Sequence, residues 1–184
     1  MSVFTNPASG TREDGERYIA AVLGLLGDAD PLEVLETTPS WCENATRGLT
    51  EEQLRRPEAP GKWSVVEILQ HLADSELVWG YRLRKVLAED RPELTGFDQD
   101  LWARRLKYAL FSRERSLATF RILREGHLAL LAGASETDLD RIGVHSERGE
   151  ESVRHTMKLY AGHDLVHRNQ IERVRRSAGR GGTT

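Results

Sequence analysis

The chain has 184 residues, 39% of them apolar and 30% charged, with a net charge of −3 from 26 Lys+Arg against 29 Asp+Glu. That length predicts one compact domain with tails, and with glycine counted the apolar share is roughly 48%, inside the globular range. A disordered chain and a collagen-like repeat are excluded, the single cysteine, Cys42, excludes a disulfide scaffold, and the lack of a basic excess argues against a general nucleic-acid binder.

In chain order, residues 1–14 and 177–184 read as flexible ends around a domain spanning 15–176. A helix over about 15–26 carries the longest apolar run, Ile19 to Leu26, about half of what a membrane span needs. It follows Glu13, Asp14 and Glu16 without a basic n-region or cleavage site, so no membrane partner and a cytoplasmic location are expected. Asp30, with Pro31 at the first helical position and Glu33 three residues after the cap, starts a second helix that stops near Gly48. Thr50–Gln53 and Ser64–Glu67 have capping-box spacing, the second opening the longest helical pattern, about 65–88. A long connection over 89–112 holds a small helix around Asp98–Tyr108. A further long helix covers about 113–132, a short hairpin around Arg148-Gly149 is expected within 142–153, and a last helix covers about 151–176. Four substantial helices with one long crossover predict an all-α four-helix bundle.

The last helix contains His163-Asp164-Leu165-Val166-His167. Four residues along a helix bring a side chain back to nearly the same face about 6 Å further on, so two imidazoles at this spacing can reach one ion. A solvated or core-edge pair has the same spacing. Thr156, Leu159, Tyr160, Val166, Gln170 and Ile171 share this part of the helix, and a buried pair among them needs partners for its ring nitrogens. His71, in the helix over 65–88, is the third candidate. Facing helices of a bundle can bring one histidine opposite two, which is the arrangement of a catalytic rather than a closed structural zinc site. A hydrogen-bonded core histidine is the alternative at position 71.

Gly61-Lys62-Trp63-Ser64, His71-Leu72-Ala73-Asp74-Ser75-Glu76, Phe97-Asp98-Gln99-Asp100-Leu101-Trp102 and His163-Asp164-Leu165-Val166-His167-Arg168-Asn169-Gln170-Ile171 resemble the DinB/YfiT-like superfamily over about residues 28–176. The resemblance implies a bundle with an atypical order of helix directions and a homodimer. It also implies a divalent metal, zinc or nickel, on His71, His163 and His167. Known activities of the family use a low-molecular-weight thiol: bacillithiol S-transferases conjugate it to electrophiles, and a mycothiol-dependent enzyme isomerises maleylpyruvate. Other members are described as metal-dependent hydrolases. The expected function is therefore a metal-dependent thiol S-transferase taking a small-molecule thiol and an electrophile. A metal-dependent hydrolase and a non-catalytic, metal-binding dimeric stress protein are the alternatives.

Asp74 and Glu67 lie one turn either side of His71, where either could accept the N–H of a ligating imidazole, and Asp74 is the stronger candidate. Arg82 lies three turns beyond His71 on nearly the same face, placed to hold a carboxylate or to pair with an acidic side chain. Asp164 points about 100° away from His163, against a zinc-protease reading. Cys42 reads as a buried, inert thiol, and Arg173, Arg175, Arg176 and Arg180 read as complements to a helix C-terminus. His127, His145 and His155 have no ligand spacing to one another.

Overall fold

A computed structural model describes residues 12–179. The helices are α1 (Arg12–Leu26), α2 (Pro31–Thr46), α3 (Glu51–Arg55), α4 (Val65–Ala88), α5 (Gln99–Arg105), α6 (Arg113–Ala132), α7 (Glu136–Leu139) and α8 (Val153–Gly179). The strands are β1 (Glu93–Leu94), β2 (Ile142–His145) and β3 (Gly149–Ser152). Helix α8 runs three residues into the segment expected as a C-terminal tail, and α1 starts inside the expected N-terminal one. Positions 1–11 and 180–184 of those expected ends lie outside the described residues.

The start signals act as their chemistry requires. The Asp30 carboxylate accepts from Leu32 N–H, and Thr50 and Gln53 cap α3 reciprocally. The Glu67 carboxylate accepts from both the backbone N–H and the hydroxyl of Ser64 at 2.8 and 2.7 Å. Glu67 is thereby committed to the helix cap and does not serve His71.

Around the bundle the helices stand in the order α2, α6, α4, α8, with α1 packed on the outside of α8. Cross-helix pairs fix the directions. Gln70–Ser116 and Glu76–Arg124 rise together, so α4 and α6 are parallel. Leu35–Arg124 and Thr46–Arg113 run in opposite senses, as do His71–His163 and Trp79–Tyr160, so α2 opposes α6 and α4 opposes α8. The result is up, down, down, up. Two successive parallel helices, α4 and α6, need a chain that returns along the whole bundle, and the long connection 89–112 is that crossover. It carries one element the sequence does not suggest, β1, which pairs in parallel with β2; β2 in turn pairs antiparallel with β3 in the expected hairpin, which turns through Gly149 at φ +81°.

Apart from a smaller cluster of Tyr18, Val22 and Leu159 where α1 packs on α8, the bundle core has two apolar halves. One gathers Leu35, Trp79, Leu83, Leu131, Met157 and Ala161; the other gathers Cys42, Ile68, Leu72, Phe120, Ile171 and Val174. Between them every bundle helix contributes buried polar residues: Thr38 from α2, His71, Asp74, Ser75 and Glu76 from α4, Arg124 and His127 from α6, Asp164 and His167 from α8. No helix among the described residues is long and apolar enough to cross a membrane.

Candidate metal centre

The polar belt contains the three histidines singled out from the sequence. His71 of α4 meets His163 and His167 of α8, with Nε2 of His163 3.1 Å from Nε2 of each neighbour. These donor atoms all lie within 4.8 Å of one another, and among the described residues no other group of His, Cys, Asp and Glu gathers in this way. Two nitrogens held tetrahedrally at 2.0–2.1 Å from one ion would be about 3.4 Å apart, close to the separations found. The indole of Trp63 covers the group from the loop before α4, 4.8 Å from the His71 ring and 6.3 Å from that of His167.

Proton positions support a cation at this point. Gln170 Oε1 lies 3.0 Å from His167 Nδ1 and can only accept, so the proton is assigned to Nδ1 and Nε2 of His167 presents a lone pair. His163 Nε2 has at most one proton to direct at two neighbouring nitrogens. Nδ1 of His71 and Nδ1 of His163 are buried without a hydrogen-bond partner among the described residues. One ion would satisfy three converging lone pairs together, a fit between these donors and a divalent metal. Burial, with neighbouring imidazoles adding to it, holds His71 and His163 well below the ordinary imidazole value. Burial brings His167 to about 4, Gln170 acting upward and Arg173 downward. All three are neutral near pH 7, the state a ligand requires.

Asp74 does not take the place expected for it. Its Oδ1 accepts from Gln70 Nε2 at 2.9 Å and its Oδ2 from the Tyr108 hydroxyl at 2.6 Å, and His71 Nδ1, the nitrogen expected to donate to it, has no hydrogen-bond partner among the described residues. Asp74 thus ties the crossover to α4 and leaves His71 Nδ1 without a carboxylate. The reason lies in helix geometry: positions three apart diverge by about 60°, enough to turn the carboxylate toward the α5–α6 side.

Beside the triad lies a buried ion cluster that sequence reasoning missed. Arg124 donates to Glu76 through Nε and Nη2 and to Asp164 through Nη1 and Nη2, at 2.7–3.1 Å, with all three side chains about 1% exposed. His127 Nδ1 adds a 2.8 Å contact to Glu76. Burial alone would raise Glu76, but Arg124 and the His127 hydrogen bond hold it below its usual value, while burial prevails at Asp164 and raises it. Arg124 Nη1 also donates to the carbonyl of Leu35 at 2.6 Å. That carbonyl is free because Pro39, one turn on within α2, has no N–H to give it. A usable signal existed: Arg124 sits at helical spacing among Phe120, His127 and Leu131, all buried.

Two hollows flank the triad. The smaller, about 40 Å³, is bordered by Tyr18, His71, Ser75, Arg82, Phe97 and His163 among others. The larger, about 330 Å³, opens past Trp63, Lys62, His167, Gln170 and Arg173. Cys42 is buried and burial pushes its thiol far up, so it is inert. Arg173, Arg175 and Arg176 pair with Glu58 and Glu172 near the helix end, and Arg180 lies outside the described residues.

Comparison with known proteins agrees with this architecture. The chain is 32% identical over 133 residues to a "putative metal-dependent hydrolase" of Oceanobacillus iheyensis, covering 72% of this chain and 77% of that protein. A similarly named protein of Geobacillus kaustophilus is 28% identical over 180 residues, or 97% of this chain and 94% of the relative. Among solved structures, YfiT from Bacillus subtilis, described as a probable metal-dependent hydrolase with an unusual four-helix bundle topology, matches with a TM-score of 0.76 at 26% identity. That match covers 81% of this chain and 86% of YfiT. The profile of the DinB superfamily matches residues 35–171, a span that holds all three clustered histidines and most or all of each bundle helix, and the chain belongs to that superfamily.

Proposed function

We propose that His71, His163 and His167 ligate one divalent cation and that the protein is a metal-dependent enzyme joining a low-molecular-weight thiol to a small electrophile. The convergence of three neutral Nε2 atoms beside two hollows carries this reading. A divalent ion bound by imidazoles alone keeps its full charge and stabilises the thiolate form of a thiol, or the hydroxide form of water, near neutral pH. The chain's own residues then divide the work. Gln170 fixes the His167 tautomer, Trp63 screens the group from solvent, and the hollows provide room on either side.

The buried carboxylates of the belt are engaged elsewhere: Asp74 with Gln70 and Tyr108, Glu76 and Asp164 with Arg124. None of these three is free to take a proton from attacking water, and a thiol, whose proton leaves more readily, has less need of such a base; Asp100, which borders the larger hollow with His167, is the carboxylate left to a hydrolytic reading. In the overall change a sulfur–carbon bond forms, a leaving group departs with its electron pair, and the thiol proton passes to solvent. Hydrolysis is the second reading, favoured by the descriptions of the relatives.

The deciding experiment is metal analysis of untagged protein followed by consumption of a test electrophile with and without added thiol. One equivalent of metal per chain and thiol-dependent turnover are expected, both lost in His167→Ala. Metal-dependent ester cleavage without any thiol would establish hydrolysis instead.

A further inference from the structure

Arg82 is the one deeply buried arginine of the belt region without a carboxylate partner among the described residues. Arg124 is neutralised by Glu76 and Asp164, and Arg148 by Glu151, to which it donates through Nε and Nη2. Arg82 is only 6% exposed, and its sole protein hydrogen bond among the described residues is from Nη2 to the carbonyl of Thr95 in the crossover. A buried guanidinium is ordinarily paired, because its charge is costly to desolvate and its five N–H groups need acceptors.

The unpaired arginine borders the smaller hollow together with His71, His163 and Ser75. Side chains on a helix lean toward its N-terminus, so Arg82, two turns after Ser75 on α4, reaches back toward the triad. The phenols around this space are donors. The hydroxyls of Tyr18 and Tyr160 have no hydrogen-bond partner among the described residues, and burial holds Tyr18 protonated, pushing it up to about 12. The hollow thus combines one uncompensated positive charge, a planar fork of donors and two phenolic hydroxyls, in a volume of about 40 Å³ that suits a small group.

We propose that Arg82 anchors a carboxylate of the substrate in this hollow, making the enzyme selective for small electrophiles that carry one. The proposal rests on the reading of the triad as the reacting centre, beside which the anchored group would lie. A carboxylate matches the guanidinium edge to edge with two parallel hydrogen bonds.

The test uses metal-stripped protein, so it does not depend on the ion, with acetate as probe and saturation-transfer NMR on the acetate methyl as readout near neutral pH. Transfer is expected in the wild type, with competition by formate but not by chloride. Arg82→Gln should reduce it by about fivefold or more, and Arg82→Lys by less, because lysine keeps the charge but loses the fork. Circular dichroism checks that Arg82→Gln folds; if it does not, Arg82→Lys decides, and undiminished transfer in it overturns the proposal. Absent transfer in the wild type, undiminished transfer in a folded Arg82→Gln, or tighter competition by phosphate than by formate would each overturn it as well. Loss of metal binding in the histidine variants is a separate result, so either reading can fail without the other.

Discussion

The three clustered imidazoles make a prediction about acid. His71, His163, His167 and His145 are all held below their unfolded value by burial, His167 at about 4 and His145 at about 3. Above pH 6.5 neither state binds these protons. As the pH falls below 6.5 the unfolded chain takes them up and the native one does not, so stability is lost toward pH 4, each group contributing a slope of about 1.4 kcal/mol per pH unit. Urea midpoints of the metal-free protein measured from pH 7 to 4 should show this decline, and it should be shallower in His145→Phe. At Arg124 a different cost applies. Arg124→Met leaves Glu76 and Asp164 buried without their counter-ion and should destabilise by about 3–5 kcal/mol, read as a shift in urea midpoint. The triad was legible through the family resemblance: four-residue spacing pairs only His163 with His167 and fits a solvated pair equally well, and nothing local links His71 to them. Arg82 was legible only as a choice between two partners. The engagement of Asp74 was not legible at all, since it depends on Tyr108, 34 residues away in the crossover.

Helix boundaries follow closely from local chemistry, because caps are satisfied within three residues. Strand β1 escaped notice for the opposite reason: two residues cannot show an alternating pattern, and its partner lies some 50 positions on. Close packing between elements depends on particular glycines. At Gly162 a Cβ would stand 2.4 Å from the carbonyl oxygen of Val22, so the absence of a side chain is what lets α1 lie against α8. Gly162→Ala should cost about 1–3 kcal/mol and raise amide exchange in α1 more than in α4 or α6. Gly80 makes similar room for the His127 ring, which a Cβ there would meet at 2.0 Å.

For the whole molecule, the polar belt divides the core and the metal reading supplies a link across it between α4 and α8. Ion binding to the native state alone should raise stability by about 2.7 kcal/mol at a free concentration one hundred times the dissociation constant. Thermal unfolding with and without zinc should show that gain in the wild type and none in His163→Ala. The four bundle helices and the need for a crossover follow from the sequence, whereas the short α7, in a stretch whose sequence shows no helical period, does not. The up, down, down, up order does not, because it is fixed by contacts such as Gln70–Ser116 and Leu35–Arg124 between segments far apart in the chain.

That arrangement has a consequence for synthesis. His71 is followed 92 positions later by His163, its partner across the bundle. At about 5–20 residues per second the ribosome takes roughly 5–20 seconds to cover that interval, during which the nascent chain offers a single imidazole of the three and no chelate. On the metal reading, the complete three-imidazole site therefore exists only once α8 has docked on α4, so an ion needing all three ligands would be taken up by the assembled bundle rather than by an emerging chain.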